Sequence, residues 1–195
     1  MKIKFIYSSL YEQRISGKKP AVPFDIAQTK LKKLDVYWKR HGKRIEQALY
    51  KVVGLKFKED MICYINSQQT FSEPLSIDVS YEFEDIRDNL IHELIHVLLT
   101  QNISIMQKAM SSFHDEYKQY NFTTRVHIII HAIHSKIADL IMPDRQSAIK
   151  NFSKHTDYVE SWKIVDALGA DRIVGFIERQ RKTACAAGFL LIKLF

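Results

Sequence analysis

The chain has 195 residues, 46% of them apolar, with six glycines and four prolines. That is enough length and apolar content for a buried core, and it excludes a disordered or fibrous chain. Two cysteines, Cys63 and Cys185, with no paired spacing, exclude a disulfide scaffold, a zinc ribbon and an iron–sulfur cluster, and they fit a reducing compartment. The net charge of +7 is uneven, because residues 1–60 hold 15 Lys/Arg against 6 Asp/Glu, a balance of +9, and the remainder balances to −2.

The first residues, Met1 to Ser9, lack the apolar core and small-residue cleavage site of a signal peptide, and no run reaches membrane-spanning length. A cytoplasmic protein without a membrane partner is therefore expected. Ile3, Phe5 and Tyr7 alternate along residues 2–8 and predict a strand. Pro20 and Pro23 mark a loop, and a long helix is predicted from Asp25 to Val53 with Leu31, Leu34, Trp38, Ile45 and Leu49 near one stripe. Gly42 is a candidate bend in it and Gly54 a candidate stop. The excess charge concentrates here, in Lys30, Lys32, Lys33, Lys39, Arg40, Lys43 and Arg44. Residues 30–44 read as the solvated face of an amphipathic helix, or as a contact surface for nucleic acid or an acidic partner.

Met61–Asn66 reads as a short buried strand. Beyond Pro74, Leu75, Ile77, Val79 and Tyr81 alternate with Ser76, Asp78 and Ser80, which predicts a strand with one buried and one polar face. A helix is predicted directly after it. Glu82, Glu84, Asp85 and Asp88 crowd its start, where acidic groups complement the positive end of the helix dipole. Ile86, Leu90, Ile91, Leu94, Ile95, Val97 and Leu98 make it apolar around most of its circumference, so it is expected to be central.

That helix carries His92-Glu93-Leu94-Ile95-His96. Histidines four apart share one helix face, one turn from each other, so both imidazoles can reach a single divalent metal while the glutamate acts on a water held there. An uncompensated carboxylate on so apolar a helix costs several kcal/mol; a metal cleft removes that penalty.

Downstream, residues 103–120 have a weak helical pattern. A helix capped by Thr123 or Thr124 is predicted to run to Met142, ended by Pro143, and two more are predicted over Asp157–Leu168 and Ala170–Arg179, separated by Gly169. The apolar segment Ala184–Phe195 is expected as a strand or helix packed on the body. A catalytic zinc takes three protein ligands and keeps a position for water. The third is sought on the helix with His127, His131 and His134, of which His127 and His131 repeat the four-residue spacing. His131 is the first choice as ligand and His127 the residue that polarises substrate, stabilises an oxyanion or orients a ligand, although the two roles are exchangeable. Glu116 is the rival ligand.

The pentapeptide, with the strand Leu75–Tyr81 before it, resembles the zincin metallopeptidases, and a compact core with its third ligand on a later helix is similar to minimal gluzincins. The likeness covers roughly residues 60–142 and is specific at residues 92–96. After His96 the chain reads Val97-Leu-Leu-Thr-Gln-Asn102, which lacks the extended metzincin pattern, and no Asn-Glu-x-x-Ser-Asp signature of large gluzincins is present. The resemblance implies an α+β fold. A small mixed or antiparallel sheet would pack on a long N-terminal helix and the central motif helix, followed by a mostly helical part. Residues 1–195 would form one domain, with strands and motif helix over about 1–100 and the third ligand within about 101–195. It also implies an edge strand at Leu75–Tyr81 that aligns an extended peptide, and zinc-dependent hydrolysis of peptide or protein substrates with Glu93 as general base. The alternative is a zincin-like, metal-binding regulatory protein with little catalysis, possessing the basic N-terminal third as a nucleic-acid contact.

Overall fold

The computed structural model describes residues 1–17, 19–151 and 155–192. They divide into two compact units, one formed by residues 1–47 and 57–98, the other by residues 48–56 and 99–195. Helices dominate and the strands form one mixed sheet, so the fold class is α+β.

In the first unit, β1 (Ile3–Tyr7) leads into the short helix α1 (Ser9–Ser16), and the long helix α2 (Phe24–Val53) starts beyond the Pro20–Pro23 loop. Strands β2 (Met61–Asn66), β3 (Phe71–Ser72) and β4 (Leu75–Asp78) follow, and then α3 (Phe83–Gln101). The sheet order is β1-β2-β4-β3. β1 pairs parallel to β2 with Phe5 opposite Cys63, and β2 pairs parallel to β4 with Ile65 opposite Ile77. Two parallel pairings need long connections: α1 and α2 supply the first, which lets the chain return to the same end of the sheet.

One expectation fails here. β4 is not an edge, because the hairpin sets β3 antiparallel on its outer side, Phe71 opposite Ser76 and Ser72 opposite Leu75. Nor is its polar face solvated. Ser76 is buried with its hydroxyl 2.6 Å from the Tyr11 hydroxyl, and Asp78 is buried with Oδ1 accepting from the Ser80 amide at 2.7 Å. Residues 79–81 leave the sheet and are held by α2 instead: Lys30 Nζ donates to the carbonyls of Val79 (2.9 Å) and Tyr81 (2.7 Å). That tether fixes the chain entering α3.

α3 is the hydrophobic centre of this unit. Ile86, Leu90, Ile91, Leu94, Ile95 and Leu98 are all completely buried, each contributing roughly 1.5–3 kcal/mol relative to exposure. On α2, Ala27, Leu34, Trp38, Ile45 and Leu49 form the buried stripe. Gly42 does not break the helix; a Cβ there would lie 2.7 Å from the Trp38 ring, so the missing side chain lets the indole lie flat along α2. Gly54 ends it with φ +67°, a conformation that disfavours any side chain, its amide donating to the Tyr50 carbonyl at 2.7 Å.

The second unit is helical. α4 (Ile103–Tyr117) and α5 (Phe122–Ile141) are followed by a 3-10 turn (Pro143–Arg145), α6 (Gln146–Asn151), α7 (Thr156–Leu168) and α8 (Ala170–Ile192). α5 is the core, with Ile128, Ile130, Ala132, Ile133, Ile137 and Ala138 inaccessible to solvent. Its cap is Asn121 and not Thr123 or Thr124: the Asn121 carboxamide oxygen accepts from the Thr124 amide at 2.9 Å, while the Thr124 hydroxyl turns to Asp157 at 2.9 Å. The C-terminal segment is helical as far as Ile192; residues 193–195, and the side chains of 184–192, lie outside the described residues. Among the described residues no helix is long and apolar enough to cross a membrane.

Candidate metal centre

The motif folds as one continuous stretch of α3, which sets His92 and His96 side by side with ring centroids 5.1 Å apart. His92 is 8% exposed and His96 half-buried. Glu93, also 8% exposed, emerges on an apolar helix where charge is poorly solvated, and burial raises its carboxyl pKa to about 8. Cys63 on β2 senses the same acid: burial first, then the nearby Glu93 carboxylate, push its thiol far above the ordinary range. That thiol stays protonated in the core of the unit.

On α5, His127 and His131 lie one turn apart with centroids 5.5 Å from each other and ring planes tilted by 56°. His127 Nδ1 lies 2.8 Å from the Thr123 carbonyl. A carbonyl only accepts, so Nδ1 carries the hydrogen and the lone pair of the neutral ring falls on Nε2. Burial lowers the pKa of His127, opposed by the Thr123 bond and by Asp157, so the ring is held neutral near pH 7. The Tyr158 ring packs on it at 4.1 Å.

His131 is anchored differently. Its Nδ1 is 2.8 Å from Ser161 Oγ, and that hydroxyl gives its single hydrogen to the Tyr158 carbonyl at 2.8 Å. The imidazole must then be the donor. Its ring also lies nearly parallel to the Trp162 indole, 4.3 Å away at 6°. His134 is buried and its pKa falls to about 3, through burial.

One ring nitrogen from each of His92, His96 and His127 lies within 4.8 Å of the others. No family model, curated protein or solved structure matches the chain. Its chemistry must therefore be argued from these side chains. Of the other candidates, His131 is held by Ser161 and Trp162 and is not in this group, and Glu116 is exposed, with its carboxylate accepting from Arg172 at 2.9 Å and from the Tyr117 hydroxyl at 3.0 Å.

Sequence reasoning missed Thr123, Tyr158, Ser161 and Trp162. Thr123 acts through its backbone carbonyl, which every residue has. The other three lie on α7, about 30 positions from His131, and carry no spacing that ties them to it.

Proposed function

We propose that this chain is a zincin-like, zinc-dependent hydrolase of peptide bonds, with His92, His96 and His127 as metal ligands and Glu93 as general base. The carrying observation is the pair of imidazoles on adjacent turns of α3 that flank a buried carboxyl whose pKa is raised to about 8. The donor set fits zinc. Three imidazoles and no thiolate leave a fourth position open, the arrangement of a catalytic and not a structural ion. His127 supports this further, because the Thr123 carbonyl fixes the tautomer whose Nε2 lone pair is available for coordination, a common way of orienting a histidine ligand. His127 thus takes the ligand role for which His131 was the first choice from sequence.

Bound zinc would supply a Lewis acid that acidifies water and polarises a carbonyl. The chain supplies the rest. A cation beside Glu93 would offset the burial that keeps its carboxyl protonated, returning it to the basic form that accepts a proton. The same carboxyl, now protonated, can pass that proton to a leaving amine. His131, with its Nδ1 hydrogen given to Ser161, has no hydrogen on Nε2 while neutral; it therefore braces α5 against α7 and does not donate to an oxyanion.

The test is metal analysis of the purified protein together with cleavage of a mixed peptide library. One zinc per chain is expected, and Glu93→Gln should retain the metal while losing about 10²–10⁴-fold or more in turnover. Absence of zinc, or cleavage by Glu93→Gln at the parental rate, refutes the hydrolase. Full zinc with no cleavage by either protein supports the metal-binding regulatory alternative.

A further inference from the structure

The structure assigns a second function to α2: a ribbon of cations on its outer face that we infer binds the phosphate backbone of duplex nucleic acid. On a helix, positions 32, 36, 39, 43 and 47 form one row and positions 33, 40 and 44 the next. These are Lys32, Val36, Lys39, Lys43 and Gln47 in the first row, and Lys33, Arg40 and Arg44 in the second, and all eight are exposed. Six cations therefore share one surface about 18 Å long.

The acids on this part of α2 neutralise one of the six. Asp35 pairs with Lys39 at 2.6 Å, while Glu46 is taken by the N-terminal amine at 3.0 Å, so five cations keep their charge uncompensated on α2. Lys32, Lys33, Arg40, Lys43 and Arg44 form no ion pair among the described residues. Lys30, at the start of the run, is excluded from the surface because its ammonium is committed to the Val79 and Tyr81 carbonyls. The cations also do not serve the fold: the buried stripe on α2 is Leu34, Trp38, Ile45 and Leu49, on the opposite side.

Composition chooses among polyanions. The only exposed large apolar residue between positions 32 and 47 is Val36. Protein interfaces centre on aromatic, Met and Arg anchors and are depleted in Lys, whereas four of these six cations are Lys. Exposed aromatic rings, on which unpaired bases stack, are missing too: Tyr37 packs against His41 at 4.8 Å and Phe83 at 6.0 Å. Such a surface reads charge and not sequence.

The measurement is fluorescence anisotropy of a labelled 20-base-pair DNA duplex of arbitrary sequence, titrated with the full chain carrying Glu93→Gln, so that binding is read with hydrolysis disabled. Five phosphate contacts predict a slope of log affinity against log salt near −4.5, about a 500-fold loss between about 50 mM and 200 mM salt. Combining Lys32→Gln, Lys33→Gln and Lys43→Gln should flatten the slope by about 3 and weaken binding at least tenfold at the lower salt. The corresponding triple Lys→Arg protein should bind like the parent, as should Lys163→Gln on α7; circular dichroism checks that helicity is unchanged. No binding at about 50 mM salt, or an unaltered slope in the triple Gln protein, overturns the proposal. Tighter binding of poly-glutamate than of duplex at equal charge also overturns it, in favour of an acidic protein partner.

Discussion

His127 and His131 differ by one helical turn and by almost nothing in local sequence, yet their surroundings divide them. His127 gives its Nδ1 hydrogen to a carbonyl of its own helix, a bond that forms whenever α5 forms. His131 gives its Nδ1 hydrogen to Ser161 on α7 and lies against Trp162, so its ring is clamped on a hydroxyl and an indole. Two substitutions separate ligand from brace. His127→Ala should bring bound zinc from one equivalent to near zero in elemental analysis, because two imidazoles hold the ion far more weakly than three. His131→Ala should leave zinc close to one equivalent while lowering thermal stability, since it removes a stacked ring from the core and the donor to the Ser161 hydroxyl; truncations of this kind cost about 2–5 kcal/mol. Loss of zinc in His131→Ala with retention in His127→Ala would reverse the assignment.

At the scale of elements, α5 depends on how it starts. Asn121 satisfies the Thr124 amide and donates through Nδ2 to Asp157 at 2.7 Å, and Asp157 accepts from Thr124 as well. These two bonds hold the Asp157 carboxyl below the usual carboxylate range. Asn121→Ala should therefore destabilise the protein by about 1 kcal/mol, the usual cost of losing a side-chain cap, read from the midpoint of denaturant unfolding. Unchanged stability would mean that water caps the helix equally well. The same element shows what local pattern can and cannot carry. α2 buries one stripe, so its span follows from 3.6-residue spacing, whereas α3 and α5 are buried around most of their circumference and are legible from the length of their apolar runs and the signals at their ends. The choice of cap is not, because Asn121, Thr123 and Thr124 all carry capping side chains and only the position of Asp157 decides among them. α1 and α6 escaped prediction for a related reason: with 8 and 6 residues they are too short to display a period. The edge assignment of β4 failed because β3 is two residues long and joins the sheet only through a hairpin.

For the whole molecule, the distribution of polar groups inside it is the main consequence of the proposed function. Glu93, His92, His127, His131 and His134 are all buried on helices whose remaining inward residues are almost entirely Ile, Leu, Val and Ala. The pentapeptide could be read from spacing because the two proposed ligands and the proposed base share one helix. The proposed third ligand could not be distinguished, since it depends on which way each α5 imidazole is held. Burying so many polar rings is costly, and a cation that takes up their lone pairs offsets part of that cost. Zinc that binds the folded chain and not the unfolded one then stabilises it by mass action, by about 2.7 kcal/mol at a free concentration 100-fold above the dissociation constant. For a chain of this size that corresponds to a rise in Tm of roughly 5–10 °C, at about 2–4 °C per kcal/mol. Differential scanning fluorimetry with zinc, and then with a chelator, should show the rise and its reversal. The response should vanish in His92→Ala, and it should persist in Glu93→Gln, which keeps all three imidazoles. A Tm indifferent to zinc and chelator in the parent protein would mean that these histidines are partners for one another in a dry core, and the hydrolase reading would fall with the metal.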